Sequence, residues 1–253
     1  MTQIESVSLG FVTNFFDTLG IGSFAPTTAY LKFRRSVADE LIPGTLNVGH
    51  ALPTLAQAVI FVTAIDVAPS TLIPMVVAAV AGAWLGAGVV ARMNRRAIQL
   101  GMGIALLVAA VLFTLKVVGF LPPGGEALGL SGGTLALAVA VNFALGALMT
   151  LGIGLYAPCL MLVSLLGMNP IAAFPIMMAS CACLMPIASA RFIRERKYSA
   201  PAALGLALGG VPGVLIAAFV VKSLPLEWLY WLVVLVVLYA ATLMLRSALI
   251  SPP

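Results

Sequence analysis

Residues 18–26 read Thr-Leu-Gly-Ile-Gly-Ser-Phe-Ala-Pro, and residues 150–158 read Thr-Leu-Gly-Ile-Gly-Leu-Tyr-Ala-Pro. Seven of these nine positions are identical, and the two stretches lie 132 positions apart. Pro43 and Pro175 repeat the same spacing farther along the chain. A constant spacing of this kind indicates an internal duplication. We assign residues 1–120 to a first repeat, 121–132 to a connecting loop and 133–253 to a second repeat.

The composition indicates that both repeats lie in a membrane. Of the 253 residues, 62% are hydrophobic and only 8% are charged, and the mean hydropathy is +1.15. A soluble domain carries about 25% charged residues, so this chain cannot cover a surface that faces water. Its long unbroken apolar runs favour helices over a β-barrel, whose strands alternate in polarity. The sequence therefore predicts an all-α integral membrane protein.

Six segments are long and apolar enough to predict transmembrane helices, because about 20 apolar residues cross the hydrocarbon core. They are 40–64, 70–91, 97–119, 170–190, 201–221 and 226–248. Two further apolar segments, 5–34 and 133–166, are interrupted by the Gly-Ile-Gly of the repeated motif. Each repeat is thus predicted to hold one glycine-broken helix pair and three transmembrane helices.

The basic residues favour an inverted topology of the two repeats. If all eight segments crossed the membrane once, the basic cluster at 191–197 would face the side opposite to those at 32–35 and 92–96. If the two broken segments are re-entrant, eleven of the 13 lysines and arginines face the cytoplasm, as the positive-inside rule favours. The repeats then have opposite orientations, as in many secondary transporters. A helix over 133–151 would be about 28 Å long, which is long for one arm of a re-entrant pair. The alternative is therefore that this segment crosses the membrane completely.

The repeated motif predicts a helix break inside the membrane in each repeat. Its two glycines let the chain leave helical geometry and approach a ligand closely, and its proline falls in the first turn of the next helix, where a missing N–H costs nothing. Two such helix N-termini that face one another form an anion site without lysine or arginine. The predicted substrate-binding positions at the breaks are Gly20, Gly22, Ser23, Pro26, Gly152, Gly154, Tyr156 and Pro158.

Glycines in membrane helices also allow close packing of neighbouring helices. We assign this role to the pairs Gly82-xxx-Gly86 and Gly209-xxx-Gly213. For the repeated motif we favour ligand binding, because close packing alone does not require a proline after the glycines.

A polar stripe runs along the predicted helix 40–64. Asn47, His50, Thr54 and Gln57 are spaced by three, four and three residues, which places them on one helix face. Polar side chains at membrane depth usually line a cavity or bind one another, so we include all four in the predicted binding site. Hydrogen bonds that only hold the bundle together are the alternative. Positions 179, 182, 186 and 189 of the second repeat carry no such stripe.

Two ionisable residues are candidates for proton coupling. His50 is the single histidine, and it either binds an anion or carries a proton when protonated, or serves as a neutral hydrogen-bonding residue. Asp17 immediately precedes the first motif, and it either accepts a coupling proton or caps the broken helix, with the cap favoured. Cys159, Cys181 and Cys183 lie in apolar runs, where cysteine is usually a small apolar filler.

Several functional classes are excluded or disfavoured. The chain has no Gly-xxxx-Gly-Lys-[Ser/Thr] loop for nucleotides, and one histidine cannot supply a catalytic metal cluster. No serine near His50 lies in a Gly-x-Ser-x-Gly motif. We therefore predict neither enzymatic activity, nor a cofactor or metal, nor nucleic acid as a partner.

The repeated Thr-Leu-Gly-Ile-Gly-x-x-Ala-Pro, the two apolar halves and the downstream Pro43, Gly82 and Gly86 resemble the TauE/SafE (TSUP) family of sulfite and organosulfonate transporters. The resemblance extends over essentially the whole chain. It implies a multi-pass protein of the plasma (inner) membrane that moves small sulfur-containing oxyanions across the lipid bilayer, with the glycines and prolines of both motifs at the site. The expectation is a secondary transporter with alternating access between the repeats. An uncoupled anion channel is the alternative.

Overall fold

The computed structural model describes residues 2–86, 95–118, 120, 125–149, 155–223 and 226–250. Within these ranges the chain forms helices, and two short 3₁₀ turns, at Asp39–Leu41 and Pro170–Ala172, precede the third and eighth of them. The helices are α1 (Gln3–Thr18), α2 (Phe24–Arg34), α3 (Ile42–Ala64), α4 (Pro69–Ala81, continued by a π-helical turn at Gly82–Gly86), α5 (Arg95–Val117), α6 (Gly132–Met149), α7 (Tyr156–Leu165), α8 (Ala173–Arg194), α9 (Ala200–Ser223) and α10 (Leu226–Ile250).

The order of helices in the first half returns in the second half at the spacing of the sequence motif. Phe24 begins α2 and Tyr156 begins α7, 132 positions later. Both helices then end in a left-handed turn, at Arg35 with φ of 48° and at Gly167 with φ of 91°. Glycine adopts this conformation at no steric cost, whereas Arg35 does so as a non-glycine residue. The two halves thus share the conformation of these helix ends even where the residues differ.

The contacts between helices also occur in matching pairs, in which the first and second halves change places. α1 packs along α9 and its counterpart α6 packs along α4, while α3 contacts α9 and its counterpart α8 contacts α4. The two remaining large contacts, α3 with α8 and α5 with α10, join each helix to its own counterpart. In the first of these, the rings of Phe61 and Phe174 stack with centroids 5.5 Å apart. The core therefore lies between α3 and α8, at the junction of the two halves.

Glycines bring the backbones of neighbouring helices close together. A Cβ atom at Gly209 or Gly213 of α9 would collide with the backbone of α1, and one at Gly10 of α1 would collide with the backbone of α9. In the equivalent helix pair, a Cβ atom at Gly82 would collide with the backbone of α6, and one at Gly146 would collide with the backbone of α4. The predicted packing role is therefore confirmed for Gly82, Gly209 and Gly213.

One end of the bundle gathers basic residues, and we call it the basic end. Arg34, at the end of α2, forms an ion pair of 3.0 Å with Glu5, near the start of α1. The backbone N–H of Ser199, just before α9, donates to the hydroxyl of Thr45 in the first turn of α3 at 2.9 Å. The backbone of Lys197 lies against α3 close to the same point. The clusters at 32–35 and 191–197 therefore share one end of the molecule.

The other end gathers the segments that begin α4 and α6 and follow α7. The N–H of Ala68, between α3 and α4, donates to the carbonyl of Leu128 at 2.8 Å. The N–H of Asn169, just after α7, donates to the carbonyl of Ala127, before α6, at 2.9 Å. Because α3 begins at the basic end and finishes here, this end lies opposite to the basic end.

The six predicted transmembrane segments all contain helices within the described residues, which confirms the helical class for that part of the chain. Four helices are long and apolar enough to cross a membrane: Ile42–Ala64, Gly132–Met149, Pro170–Arg194 and Ala200–Val220. Three of them fall in predicted spans. The fourth, α6, belongs to the interrupted segment 133–166, and it begins at Gly132, inside the loop predicted for 121–132. Within the segment predicted at 70–91, the described apolar helix covers only Pro69–Leu85.

Candidate functional site

The first repeated motif breaks the helix as predicted. α1 ends at Thr18 and α2 begins at Phe24. Between them Gly20 and Gly22 adopt φ angles of 93° and 89°, a region that side chains with a Cβ atom avoid. Pro26 is the third residue of α2, where its missing N–H leaves no helical hydrogen bond unmade. The glycines are therefore required by the backbone conformation of the break.

The second motif lies between two described helices. α6 ends at Met149 and α7 begins at Tyr156, so that Pro158 is again the third residue of its helix. Gly152 and Gly154, which the sequence assigned to the site, lie outside the described residues. The described part of this break thus consists of the two helix ends and the buried side chain of Tyr156.

Gln57 joins the two breaks. Its Nε2 atom donates to the carboxylate of Asp17 and to the hydroxyl of Thr18, both at 2.9 Å, at the end of α1. Its Oε1 atom accepts from the phenol of Tyr156, the first residue of α7, at 2.8 Å. All of these side chains are buried. One amide on α3 therefore connects the end of the first broken helix with the start of the second.

His50 lies two turns before Gln57 on the same face of α3, where it contacts α1 and α2. Its Nε2 atom is 3.1 Å from the hydroxyl oxygen of Thr27, and its Nδ1 atom is 3.1 Å from Oδ1 of Asn14. The ring of Phe24, the first residue of α2, is 5.9 Å away between centroids. The imidazole is fully buried. It is therefore held against the start of α2 by polar groups from both arms of the break.

Asp17 is buried at the first break, and it has no basic partner in the part of the chain that the structure describes. Beyond its bond to Gln57, its carboxylate faces the hydroxyl and the backbone N–H of Ser23, the residue before α2. The role of Asp17 as a cap of the broken helix stays a prediction. Of the Asp, Glu, Lys, Arg and His side chains whose burial the structure describes, only Asp17 and His50 are buried.

The other two members of the polar stripe differ in their contacts. Thr54 is buried and lies beside the phenol of Tyr156. Asn47 is also buried, but its amide donates to the carbonyl of Pro43, one turn back on the same helix, at 2.8 Å. The structure thus brings His50, Thr54 and Gln57 to the breaks, whereas Asn47 bonds within α3.

Three further side chains, which the sequence did not predict, contact this site. Asn14, Thr18 and Thr27 are all buried and hydrogen-bonded to His50 or Gln57. Two of them share a helix with Asp17, and polar residues spaced by three or four in that apolar helix were a usable signal. Thr27 follows Pro26 directly and carried no comparable pattern.

The second half has a smaller polar contact of its own. The amide of Asn142 on α6 donates to the carbonyl of Met75 at 2.7 Å and to the hydroxyl of Ser180 at 3.3 Å. Its Oδ1 atom is buried and has no partner within the described part of the chain. These positions differ from 179, 182, 186 and 189, so the polar surroundings of the two halves are unequal, as expected.

The three cysteines differ in burial. Cys159 and Cys181 are buried, and the sulfur of Cys181 is 3.5 Å from that of Met149, whereas Cys183 is exposed. Across the described ranges, no three or more His, Cys, Asp and Glu side chains could together hold a metal ion.

At the basic end, a cavity of about 500 Å³ is lined by Lys32 and Arg35. Such a surface attracts anions.

Comparison with known protein families, with curated proteins and with solved structures found no match to this chain.

Proposed function

We propose that the protein is a secondary transporter of small sulfur-containing oxyanions, such as sulfite and sulfonates, in the plasma membrane, and a member of the TauE/SafE family. The observation that carries this proposal is the bridge of Gln57 between the end of α1 and the start of α7. Matched helix breaks that meet at the junction of two repeats are the arrangement in which many secondary transporters hold their substrates.

An inverted topology with re-entrant broken helices belongs to the proposal. The ion pair between Glu5 and Arg34 supports a hairpin of α1 and α2 that opens at the basic end. The bond between Asn169 and Ala127 supports a hairpin of α6 and α7 that opens at the opposite end. The basic end faces the cytoplasm on this view, because lysine and arginine accumulate there in membrane proteins.

The anion is held by backbone groups rather than by a fixed positive charge. The first N–H groups of α2 and α7 have no acceptor within their own helices and carry the positive end of the helix dipole. His50 lies beside the first of these helix starts. This arrangement fits the observation that none of the lysine and arginine side chains whose burial the structure describes is buried.

The polar side chains at the site bond to one another, which favours a carrier over a channel. Gln57, Tyr156 and His50 bond to other side chains of the protein rather than line an open passage. Substrate therefore enters only when such bonds open, which is the requirement for alternating access. The basic cavity at the end of α2 collects anions on one side of the membrane.

Flux into proteoliposomes tests the proposed activity. We expect isotopically labelled sulfite to be taken up faster than by empty liposomes and to exchange against internal sulfite. Gln57→Leu should reduce the rate strongly, and Tyr239→Phe, a change at an exposed position, should leave it unaltered. Absence of flux for sulfite, methanesulfonate and sulfate in folded protein would reject the proposal, and single-channel currents would favour the channel.

Labelling of introduced cysteines tests the proposed topology. In a protein with all three native cysteines changed to alanine, we expect Ala200→Cys at the basic end to react only from the cytoplasm. Ser131→Cys at the opposite end should react only from outside. Both positions are exposed. Reaction of both from the same side would reject the inverted arrangement.

A further inference from the structure

Both ring nitrogens of His50 face hydrogen-bond acceptors. Asn14 donates from Nδ2 to the carbonyl of Gly10 at 2.8 Å, so its oxygen, which can only accept, is the atom 3.1 Å from Nδ1 of His50. The hydroxyl of Thr27 donates to the carbonyl of Ser23 at 2.7 Å, so its oxygen offers a lone pair to Nε2 at 3.1 Å. The surroundings therefore provide one acceptor for each N–H of a protonated ring.

A neutral ring keeps only part of this pattern. Asn14 cannot donate to Nδ1 while its amide nitrogen is bound to Gly10, so the neutral ring carries its single proton on Nδ1. Nε2 then needs a donor, and the hydroxyl of Thr27 is the one in place. Turning this hydroxyl towards His50 breaks its bond to Ser23. Thr27 thus links the protonation of the ring to the residue before α2.

Few ionisable groups surround the ring. From α1 comes Asp17, one turn beyond Asn14, and its carboxylate is bound by Gln57 rather than by His50. From α7 and α8 come Tyr156 and a cysteine, both beside Asp17. The basic residues of α2 lie at its far end, and α9 has no ionisable residue over 200–220.

The buried ring therefore lacks a direct counter-ion. No carboxylate bonds to His50 among the residues that the structure describes. A buried positive charge is costly unless an opposite charge lies close to it. An anion beside Phe24, the first residue of α2, would supply that charge.

Building on the proposed anion site, we propose that His50 binds a proton together with the transported anion, one proton for each anion, and that Thr27 positions the ring for this role. The anion favours the protonated ring and the protonated ring favours the anion, so the two bind cooperatively. The affinity for the anion then falls by up to tenfold for each pH unit above the point at which the ring loses its proton. Transport is driven by a proton gradient as a consequence.

Nitrogen-15 magnetic resonance tests the ring directly. The chain contains a single histidine, so histidine labelling of the full chain, with any purification tag removed, reports on His50 alone. We expect the neutral ring to carry its proton on Nδ1, and methanesulfonate at constant pH to convert it to the doubly protonated form. A proton on Nε2, a ring already doubly protonated without anion, or a ring unchanged while methanesulfonate binds would overturn the inference.

Calorimetry in two buffers of different ionisation enthalpy counts the protons. Methanesulfonate stays a monoanion between about pH 5 and about pH 8, the range in which an unperturbed histidine titrates, so proton uptake belongs to the protein. We expect about one proton per anion in the wild type and in Asp17→Asn, and about none in His50→Gln. Loss of uptake in Asp17→Asn with retention in His50→Gln would place the proton on Asp17 and reject the inference.

Two variants at Thr27 test its positioning role. Thr27→Ser keeps the hydroxyl and should retain both the Nδ1 tautomer and the proton uptake, whereas Thr27→Val should reduce the uptake. Equal behaviour of the two would reject the role of Thr27. If methanesulfonate, sulfite and sulfate all fail to bind the folded wild type, the anion site itself is wrong. Binding without proton uptake rejects only the present inference.

Discussion

Replacing Tyr156 with phenylalanine removes one hydrogen bond between the two halves of the protein and leaves the aromatic ring in place. The phenol of Tyr156 donates to Oε1 of Gln57 at 2.8 Å, and both residues are buried. Without the hydroxyl, this amide oxygen loses its donor, and an unsatisfied buried acceptor costs about 1–3 kcal/mol. We expect the free energy of unfolding to fall by about 1–2 kcal/mol, towards the lower part of that range, because hydrogen bonds in membrane proteins are modest.

A double-mutant cycle isolates the bond from other effects. Gln57→Leu removes the acceptor together with the two bonds that Gln57 donates at the end of α1. In that background Tyr156→Phe should cost little, because the phenol has already lost this partner. The expected coupling energy is about 1 kcal/mol, above the average of about 0.6 kcal/mol for interhelical hydrogen bonds in a membrane bundle, because both atoms are buried.

Reversible unfolding in mixed detergent micelles measures all four free energies. Tyr239→Phe is the matched control, since Tyr239 is 40% exposed, and it should change the free energy of unfolding by less than about 0.5 kcal/mol. A coupling energy below about 0.3 kcal/mol, the error of additivity for independent sites, would refute the bridge between the breaks.

Three other substitutions separate helix packing, backbone conformation and surface charge. Gly209→Ala forces a Cβ atom into the backbone of α1 and should lower the free energy of unfolding by about 1–3 kcal/mol; Gly133→Ala, where a Cβ meets nothing within 4 Å, should not, and equal effects would contradict the packing account. Gly22→Ala places a side chain at a φ of 89°, which costs about 1–2 kcal/mol; flux should fall while circular dichroism stays unchanged, and full flux would show that the break tolerates a Cβ. The hydrogen bond from Arg191 is the main cause that holds the pKa of Glu195 below its usual value. This carboxylate therefore stabilises the fold above a pH of about 4.3, and its contribution is lost as the pH falls through the lowered pKa. The melting temperature of Glu195→Gln should lie below that of the wild type at neutral pH and match it in acid, and a difference that persists in acid would contradict this origin.

The helices and the first break were predictable because their causes are local. Apolar length predicts a membrane helix wherever it occurs, and a glycine pair followed by proline stops one helix and starts the next regardless of its neighbours. The packing roles of Gly82 and Gly209 followed from the same kind of short pattern. The bounds were less accurate, as the start of α6 at Gly132 illustrates.

The contacts of the site were only partly predictable. The stripe on α3 identified His50 and Gln57, because a spacing of three and four residues defines a helix face. Their partners on α1 and α2, Asn14 and Thr27, depend on how those helices are rotated and how closely they approach α3. Asn47 shares the stripe but bonds back to its own helix, a choice that spacing alone does not distinguish.

The sequence by itself predicted a duplicated, helical membrane protein with a glycine break in each half, because burial in lipid and backbone freedom act residue by residue. Only the tertiary structure decided that Gln57 connects Asp17 to Tyr156 and that His50 faces two acceptors. Those contacts join residues up to 99 positions apart. They depend on the close approach of helices, which is set by the packing of the whole bundle.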